Sequence, residues 1–138
     1  MILMDTTPLV ALCDERDPYH TRALRDLNKL GKRQYFTCTA VLGEACYHLS
    51  SSYGRQRLIG VFADISISPI AEESGADVWA EVFEWLLRYA EHSPDLADGV
   101  LAVTSGRHRQ MKVWTYDSEF ATIWRRPDGT RIPLAINT

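Results

Sequence analysis

The chain has 138 residues, of which 46% are hydrophobic and 24% are charged, and its formal net charge is −3. This length suffices for a single domain, residues 1–138, that buries one core without disulfides or a structural metal. The small negative charge does not favour bulk nucleic-acid binding, no apolar run approaches the ~20 residues of a membrane span, and the N-terminus lacks the basic region of a secretory signal.

The N-terminal half alternates short apolar runs with helical periodicity. Thr7 followed by Pro8 is typical of a helix start, and Asp17 followed by Pro18 repeats this signal. Gly31 is a predicted C-terminal stop of the second helix. The predicted elements are strand 1–4, helix 7–13, helix 17–31, strand 34–38, helix 39–49 and helix 54–65.

The C-terminal half continues the alternation. Its predicted elements are strand 65–70, helix 76–92, helix 96–108, strand 111–115, a short helix 118–124 and a last strand 131–136. Helix 76–92 has a core-facing stripe formed by Val78, Val82, Trp85, Leu86 and Tyr89. In helix 96–108 we expect Leu96, Val100 and Val103 to form the inner edge. Pro133 favours an edge position for the last strand.

Strands that alternate with helices predict an α/β fold with a mainly parallel sheet covered on both faces. Two predicted strands end on an acid, since "MILM" runs into Asp5 and "KVWTY" runs into Asp117. In open parallel sheets, ligands bind beyond the carboxyl ends of the strands. Both acids are therefore placed where a ligand would bind.

Other acids are expected near the same edge. Glu44 lies one turn into helix 39–49, and Asp95 and Asp98 stand three apart where helix 96–108 begins. Two unit charges roughly 4 Å apart repel by about 4 kcal/mol at an effective dielectric near 20. Convergence of Asp5, Glu44, Asp98 and Asp117 would therefore require protonation or a bound cation, and oxygen-only ligands select Mg²⁺ or Mn²⁺. Such an ion acidifies water and assists phosphodiester hydrolysis.

Each acid also has a plainer interpretation. Asp95 suits an N-cap and Asp98 a partner of the helix dipole. Asp117 suits a cap of the short helix 118–124, and Glu44 suits a solvated face. For Asp5 and Asp117, the apolar strand immediately before the acid favours a functional role.

The cysteines and histidines indicate no other metal site. Cys13, Cys38 and Cys46 are scattered and contain no Cys-x-x-Cys pair, which argues against a disulfide framework or a zinc site and suits a reducing cytoplasm. The four histidines also lack metal-ligand spacing.

Four stretches of the chain resemble a PIN domain, most closely the short bacterial VapC-type toxins. They are "MDTTPLVAL" with Asp5, "TAVLGEACYHL" with Glu44, "DLADGVLAV" with Asp98 and "TYDSEF" with Asp117. The resemblance covers essentially the whole chain. No single motif is specific, but the four in this order are fairly specific.

The resemblance implies a three-layer α/β/α fold and a ribonuclease that depends on Mg²⁺ or Mn²⁺. It further implies an RNA substrate, a cognate antitoxin protein and a homodimer. The acidic site would be Asp5, Glu44, Asp98 and Asp117, with Asp5 and Asp98 as the first metal ligands, although Asp95 competes with Asp98. Thr7 and Thr115 match hydroxyl positions that orient a carboxylate or water, and Phe120 matches an apolar position beneath the site.

Several alternatives stay open at this point. The chain is a toxin, a housekeeping RNA-processing nuclease, or a non-catalytic PIN-like module that binds a partner. A phosphatase that uses an aspartyl nucleophile is disfavoured, because Thr7 stands where that chemistry needs a second Asp. The basic residues Arg55, Arg57, Arg107, Arg109 and Lys112 either contact RNA phosphates or are ordinary solvated charges. The apolar residues Tyr47, Tyr53, Leu58, Phe62 and Trp79 belong either to the core or to an interface.

Overall fold

A small parallel sheet organises the molecule. The computed structural model describes residues 1–71 and 75–137. The strands are β1 (Ile2–Met4), β2 (Tyr35–Thr37), β3 (Ser68–Pro69) and β4 (Lys112–Trp114), in the spatial order β3-β2-β1-β4. Every neighbouring pair runs parallel, with Leu3 opposite Phe36 on one side and opposite Val113 on the other. The predicted parallel sheet is confirmed.

Helices cover the sheet in the layers that the sequence predicted. They are α1 (Thr6–Cys13), α2 (His20–Leu30), α3 (Thr39–His48), α4 (Ser52–Asp64), α5 (Ala76–Arg88), α6 (Leu96–Arg107) and α7 (Glu119–Thr122), with a 3₁₀ turn at Ala90–His92. Because parallel crossovers are right-handed, connections that run in opposite directions along the sheet place their helices on opposite faces. The crossovers from β1 through β3 carry α1–α4, and the return from β3 to β4 carries α5 and α6.

The strand order creates a crevice between β1 and β4. From β1 the chain moves to β2 and β3, and it then returns to the other side of β1 to form β4. The direction of winding therefore reverses at the β1–β4 pair, which is where ligands bind in open α/β sheets. The carboxyl ends of β1 and β4 carry Asp5 and the segment 115–117. Helix α3 contacts both α1 and α6.

Helix α6 is the central helix of the core. Residues 97–105 are all buried, although the sequence pattern predicted that only one face of the helix would be buried. Leu96, placed on that edge by the sequence pattern, is 54% exposed, so this prediction was wrong. Helix α5 packs closely at Gly99, where a Cβ would lie 3.2 Å from Leu86 Cδ2 and 3.3 Å from Trp85 Cε3 and would displace these side chains slightly.

The predicted last strand, 131–136, is not a strand. It makes one isolated parallel bridge, between Leu134 and Val113, in which Val113 N donates to Pro133 O and Ala135 N donates to Val113 O. Pro133 has no N–H to extend a ladder. The segment therefore covers the edge of β4 without adding a full strand.

Two predicted helix starts shift by a few residues. Helix α1 begins at Thr6, with Asp5 and not Thr7 as its N-cap. Helix α2 begins at His20, because the Asp17 carboxylate accepts a hydrogen bond from Tyr19 N and forms a turn before the helix. Gly31 ends α2 at φ 68°, a conformation that glycine accommodates, so the predicted stop is confirmed.

The apolar residues with an open assignment divide between core and surface. Leu58 is buried and Phe62 packs against the core, whereas Tyr47, Tyr53 and Trp79 are 82%, 59% and 56% exposed. Within residues 1–71 and 75–137, every helix is too short or too polar to cross a bilayer.

Candidate active site

Four acids lie around the carboxyl edge of the β1–β4 pair, and we call them the acidic cluster: Asp5, Glu44, Asp98 and Asp117. Asp5 follows β1 and is 5% exposed, and Asp98 lies in the first turn of α6 and is 8% exposed. Glu44 on α3 and Asp117 after β4 are half-buried. Buried carboxylates are rare unless they are paired or functional.

Neutral donors hold both oxygens of Asp5. Its Oδ1 accepts a hydrogen bond of 2.7 Å from the backbone N of Thr6, which makes Asp5 the N-cap of α1. Its Oδ2 accepts a bond of 2.7 Å from the Thr115 hydroxyl, which also accepts from Asp117 N at 3.0 Å. Thr115 therefore fixes the Asp5 carboxylate and the backbone of Asp117 relative to each other.

Two consecutive threonines of α1 face different partners. The Thr6 hydroxyl donates to Glu44 Oε2 at 2.7 Å and so links α1 to α3. The Thr7 hydroxyl accepts from the backbone N of Tyr116 at 2.9 Å. The resemblance predicted that Thr7 orients a carboxylate or water. In the structure Thr7 bonds to the loop after β4, and Thr6 is the threonine of α1 that bonds to an acid of the cluster.

Asp95 and Asp98 form a capping box at the start of α6. The Asp98 Oδ2 accepts a hydrogen bond of 2.9 Å from the backbone N of Asp95. Asp95 is exposed and lies outside the helix as its N-cap, whereas Asp98 is buried on the side facing the cluster. The choice of Asp98 over Asp95 as a metal ligand stays a prediction.

The loop after β4 is also locally braced. Asp117 Oδ1 accepts from Glu119 N at 3.0 Å, a turn that leads into α7. Phe120 is 1% exposed and belongs to the core.

Burial and mutual repulsion raise two pKa values in the cluster. Burial raises the pKa of Asp5 to about 6, opposed by its bonds from Thr115 and Thr6 and reinforced by the charges of Asp117 and Glu44. Burial raises the pKa of Asp98 to about 7, opposed by the Asp95 N–H and reinforced by the charges of Asp5, Asp117 and Asp95. The charges of Asp117 and Glu44 thus act on Asp5, and the charges of Asp5 and Asp117 act on Asp98.

A second polar network behind the site was not predicted from the sequence. The buried Asp26 of α2 accepts a hydrogen bond of 2.7 Å from the Tyr116 hydroxyl, which itself accepts from Trp114 Nε1 at 3.2 Å. Arg22 lies 3.7 Å from Asp26. This network holds Tyr116, the residue between Thr115 and Asp117. The one signal in the sequence is an acid at position 26, beside the apolar face of α2.

Two of the unassigned basic residues, Arg107 and Arg109, form ion pairs within the fold. Arg107 pairs with Glu81 at 2.8 Å, and Arg109 pairs with Asp128 at 3.0 Å. Arg107 ends α6 and Asp98 lies in its first turn, so nine residues at ~1.5 Å each separate the two along the helix. Lys112 begins β4, at the opposite edge of the sheet from Asp117. These three residues therefore lie away from the acidic cluster.

Two further arginines are similarly engaged. Arg55 donates to the carbonyl oxygens of Leu49 and Cys46, and Arg57 donates to that of Leu12. Both bind helix ends within the fold.

The family assignment comes from sequence comparison. The sequence profile of the PIN domain matches residues 2–124. The chain belongs to the PIN domain family. No curated protein sequence matches this PIN domain.

A solved structure supports the same fold. One similar structure is the crystal structure of VapC20 from Mycobacterium tuberculosis, a toxin that cleaves the sarcin-ricin loop. It superposes on this chain with a TM-score of 0.69 and covers 88% of this chain and 93% of that chain. The two sequences are 21% identical. The expected PIN-like α/β/α fold is confirmed by both comparisons.

The chemistry of the cluster suits a hard divalent cation. Among the described residues, no group of three or more Asp, Glu, His or Cys side chains is arranged so that it could hold a metal ion. The donors are nevertheless all carboxylate oxygens, and a carboxylate oxygen that accepts one hydrogen bond has a second lone pair available. Mg²⁺ is typically bound by one or two carboxylates and keeps several waters. The chemistry of these donors, and not a preformed arrangement of three ligands, therefore suits such an ion.

The pKa of Asp98 predicts a pH-dependent stability. A folded chain with this pKa near 7 retains a proton that the unfolded chain releases near 3.8, so the free energy of unfolding should fall as the pH rises from about 4 to about 7. Asp98→Asn keeps an acceptor for Asp95 N and removes the charge. In EDTA we expect the variant to be more stable than the parent at pH 8, by on the order of 2 kcal/mol, and equally stable near pH 4.

Thermal melts from pH 4 to pH 8 measure this difference. Asp64→Asn, at the exposed end of α4, removes one negative charge elsewhere and should keep the parent's pH profile. If the melting temperatures of Asp98→Asn and the parent depended on pH in the same way, the raised pKa assigned to Asp98 would be wrong.

Proposed function

We propose that this PIN domain is an endoribonuclease that depends on Mg²⁺ or Mn²⁺ and hydrolyses RNA phosphodiester bonds. One observation supports the proposal above all others: two buried carboxylates, Asp5 and Asp98, lie at the carboxyl edge of the β1–β4 pair with pKa values raised to about 6 and about 7. Such perturbed acids in a crevice are typical of functional sites.

The proposed metal ligands are the four acids of the cluster. Asp5 and Asp98 are the primary ligands, because both are buried and each is destabilised as an anion until a cation is present. Glu44 and Asp117 border them and complete the set directly or through water. A bound Mg²⁺ or Mn²⁺ supplies charge neutralisation and a more acidic water for attack on a phosphodiester.

The residues around the acids have separable roles in this proposal. Thr115 orients Asp5, and its bond from Asp117 N sets the position of the second strand-end acid. Thr6 holds Glu44 on the α1 side of the crevice. Asp95 directs the Asp98 carboxylate through its backbone N–H. The carboxylates that do not bind the ion directly can accept a proton from the attacking water.

We further propose that the chain is the toxin of a toxin–antitoxin pair and acts in the cytoplasm. The support is the fold shared with the VapC20 toxin and the order of the four acidic motifs. Cys13, Cys38 and Cys46 form no disulfide with one another, in keeping with a reducing compartment. The partner is a cognate antitoxin protein, and a housekeeping RNA-processing role is the alternative.

A homodimer is proposed through the outer face of α5. Trp79, Phe83 and Leu87 follow one another at helical spacing and are 56%, 61% and 78% exposed. Trp79 and Phe83 line one apolar groove together with Leu96 of α6, and exposed apolar surface of this kind marks an interface. Two copies related by a twofold axis would bury this face against itself.

Removal of either primary ligand should abolish catalysis. We expect Asp5→Asn and Asp98→Asn to lower RNA cleavage by more than about 100-fold, since outer partners of metal ligands alone contribute about 10–100-fold. EDTA should stop cleavage by the parent, and Mn²⁺ should raise the melting temperature of the parent but not of Asp98→Asn. Cleavage assays on labelled single-stranded RNA and thermal melts measure both effects.

Asp64→Asn is the matched control and should retain cleavage and the response to Mn²⁺. Undiminished cleavage by both Asp5→Asn and Asp98→Asn would refute the assigned site. A folded parent that neither cleaves RNA nor responds to millimolar Mn²⁺ would support the non-catalytic binding module instead.

Expression in a bacterial host tests the toxin role. The parent chain should arrest growth, because unchecked RNA cleavage stops protein synthesis, whereas Asp98→Asn should not. Co-expression of the proposed antitoxin should restore growth, and the antitoxin should co-purify with the chain. Normal growth on strong expression of an active enzyme would favour the housekeeping role.

A charge on the outer face of α5 should separate the proposed dimer. Phe83→Glu is expected to shift the mass in solution from two chains to one, since like charges would face each other across the twofold axis. Light scattering after size exclusion measures the mass. Ile59→Glu is the control, because Ile59 is also exposed (70%) but lies on α4, away from the outer face of α5. This variant should remain a dimer. A monomeric parent would refute the dimer.

A further inference from the structure

A cleft beside the acidic cluster has the features of a binding site for one nucleobase. It encloses about 240 Å³ between the start of α1, the turn before α2 and the end of α3, and we call it the Tyr19 cleft. Thr6 and Thr7 line one side, Pro18 and Tyr19 line another, and His48 closes the end. This space is smaller than the pocket of a drug-sized ligand and suits a single flat ring system.

The cleft adjoins the proposed site of cleavage through its own lining residues. Thr6 lines the cleft while its hydroxyl donates to Glu44 at 2.7 Å. Thr7 lines the cleft while its hydroxyl accepts from the backbone N of Tyr116, the residue before Asp117. A group bound in the cleft therefore contacts a residue that is hydrogen-bonded to Glu44 and a residue that is hydrogen-bonded to the loop carrying Asp117.

Tyr19 presents a fixed aromatic ring to this cleft. Its ring stacks on that of Tyr116, with centroids 5.0 Å apart and an interplanar angle of 20°. The Arg22 guanidinium lies 4.5 Å from the Tyr116 centroid and 5.8 Å from that of Tyr19. Asp17 also accepts from Tyr19 N at 2.8 Å.

Despite these contacts, Tyr19 is 42% exposed. Such an exposed ring that is already ordered can bind a ligand with little further loss of conformational entropy.

We propose that the Tyr19 cleft binds an unpaired base of single-stranded RNA next to the scissile phosphate, with the base stacked on Tyr19. Proteins bind unpaired bases by stacking them on aromatic side chains, and this mode tolerates any sequence because every base has a flat face. The subsite rests on the proposed ribonuclease function and specifies how the substrate is held. It also supplies affinity that a cluster of acids, which repels phosphates, does not provide.

Binding of two probes tests the proposal. The first is a fluorescein-labelled single-stranded RNA 12-mer of mixed sequence, and the second is a labelled abasic 12-mer with the same ribose-phosphate backbone. Both are titrated by fluorescence polarisation against Asp98→Asn, which should bind RNA without cutting it. Adding Tyr19→Leu should weaken binding of the RNA roughly tenfold to a hundredfold, the range for loss of one stacked base, and leave the abasic probe unaffected. Adding Tyr19→Trp should keep the affinity for RNA.

Two controls separate stacking from a disturbed fold. Tyr53→Leu replaces a tyrosine of α4 that is 59% exposed and lies outside the cleft, and it should leave RNA binding unchanged. In the otherwise unmodified chain, Tyr19→Leu should retain the Mn²⁺-induced rise in melting temperature. A loss of that rise together with RNA affinity would assign Tyr19 to the support of Tyr116 and overturn the base subsite.

The remaining outcomes are also decisive. Equal RNA affinity with and without Tyr19→Leu, in a chain that cleaves RNA, would overturn the subsite and leave the ribonuclease function intact. Tyr19-dependent RNA binding by a chain that shows no cleavage would support the subsite and refute the proposed function. Loss of antitoxin binding in Tyr19→Leu, with RNA binding unchanged, would assign the cleft to a protein partner and overturn the proposal.

Discussion

The structure depends on the burial of like charges at one edge of its sheet. Asp5 and Asp98 are both less than a tenth exposed, and the charge of Asp5 raises the pKa of Asp98 further. A carboxylate in this position opposes folding until it is protonated or neutralised. The core must supply the compensating free energy, and it does so with α6, a helix buried on all sides that carries Asp98 at its first turn.

The sequence predicted the elements of the fold well where the signals are local. An apolar run followed directly by Asp5 identified both the end of β1 and its position at the carboxyl edge. Two of the failed predictions, the position of Leu96 and the strand 131–136, have tertiary causes. Leu96 was predicted to be buried because we assumed that only one face of α6 packs against the core. Residues 97–105 are in fact buried on every side, and Leu96, the first residue of the helix, lies outside this buried part. The 131–136 segment has strand-like composition, but Pro133 interrupts its hydrogen bonds beside β4.

The identities of the candidate site residues were more predictable than their contacts. All four acids of the cluster could be named, because strand ends and helix starts are visible in a sequence. The choice between Thr6 and Thr7 was not, since it depends on the rotation of α1 that follows from Asp5 acting as N-cap. The hydrogen bond between Asp26 and Tyr116 joins residues that are 90 positions apart. A contact over this distance cannot be predicted from a local sequence pattern.

The acids of the cluster accept hydrogen bonds from neutral donors, which leave their negative charge uncompensated. Among the described residues, the arginine ion pairs engage Asp14, Asp26, Asp77, Glu81 and Asp128, and not the acids of the cluster. A guanidinium beside Asp5 would have stabilised its anion and satisfied the same lone pairs. Hydroxyl and backbone N–H donors instead fix the geometry and leave the negative charge uncompensated. The fold thereby orders the carboxylates in advance and leaves their negative charge available to the divalent ion that we propose.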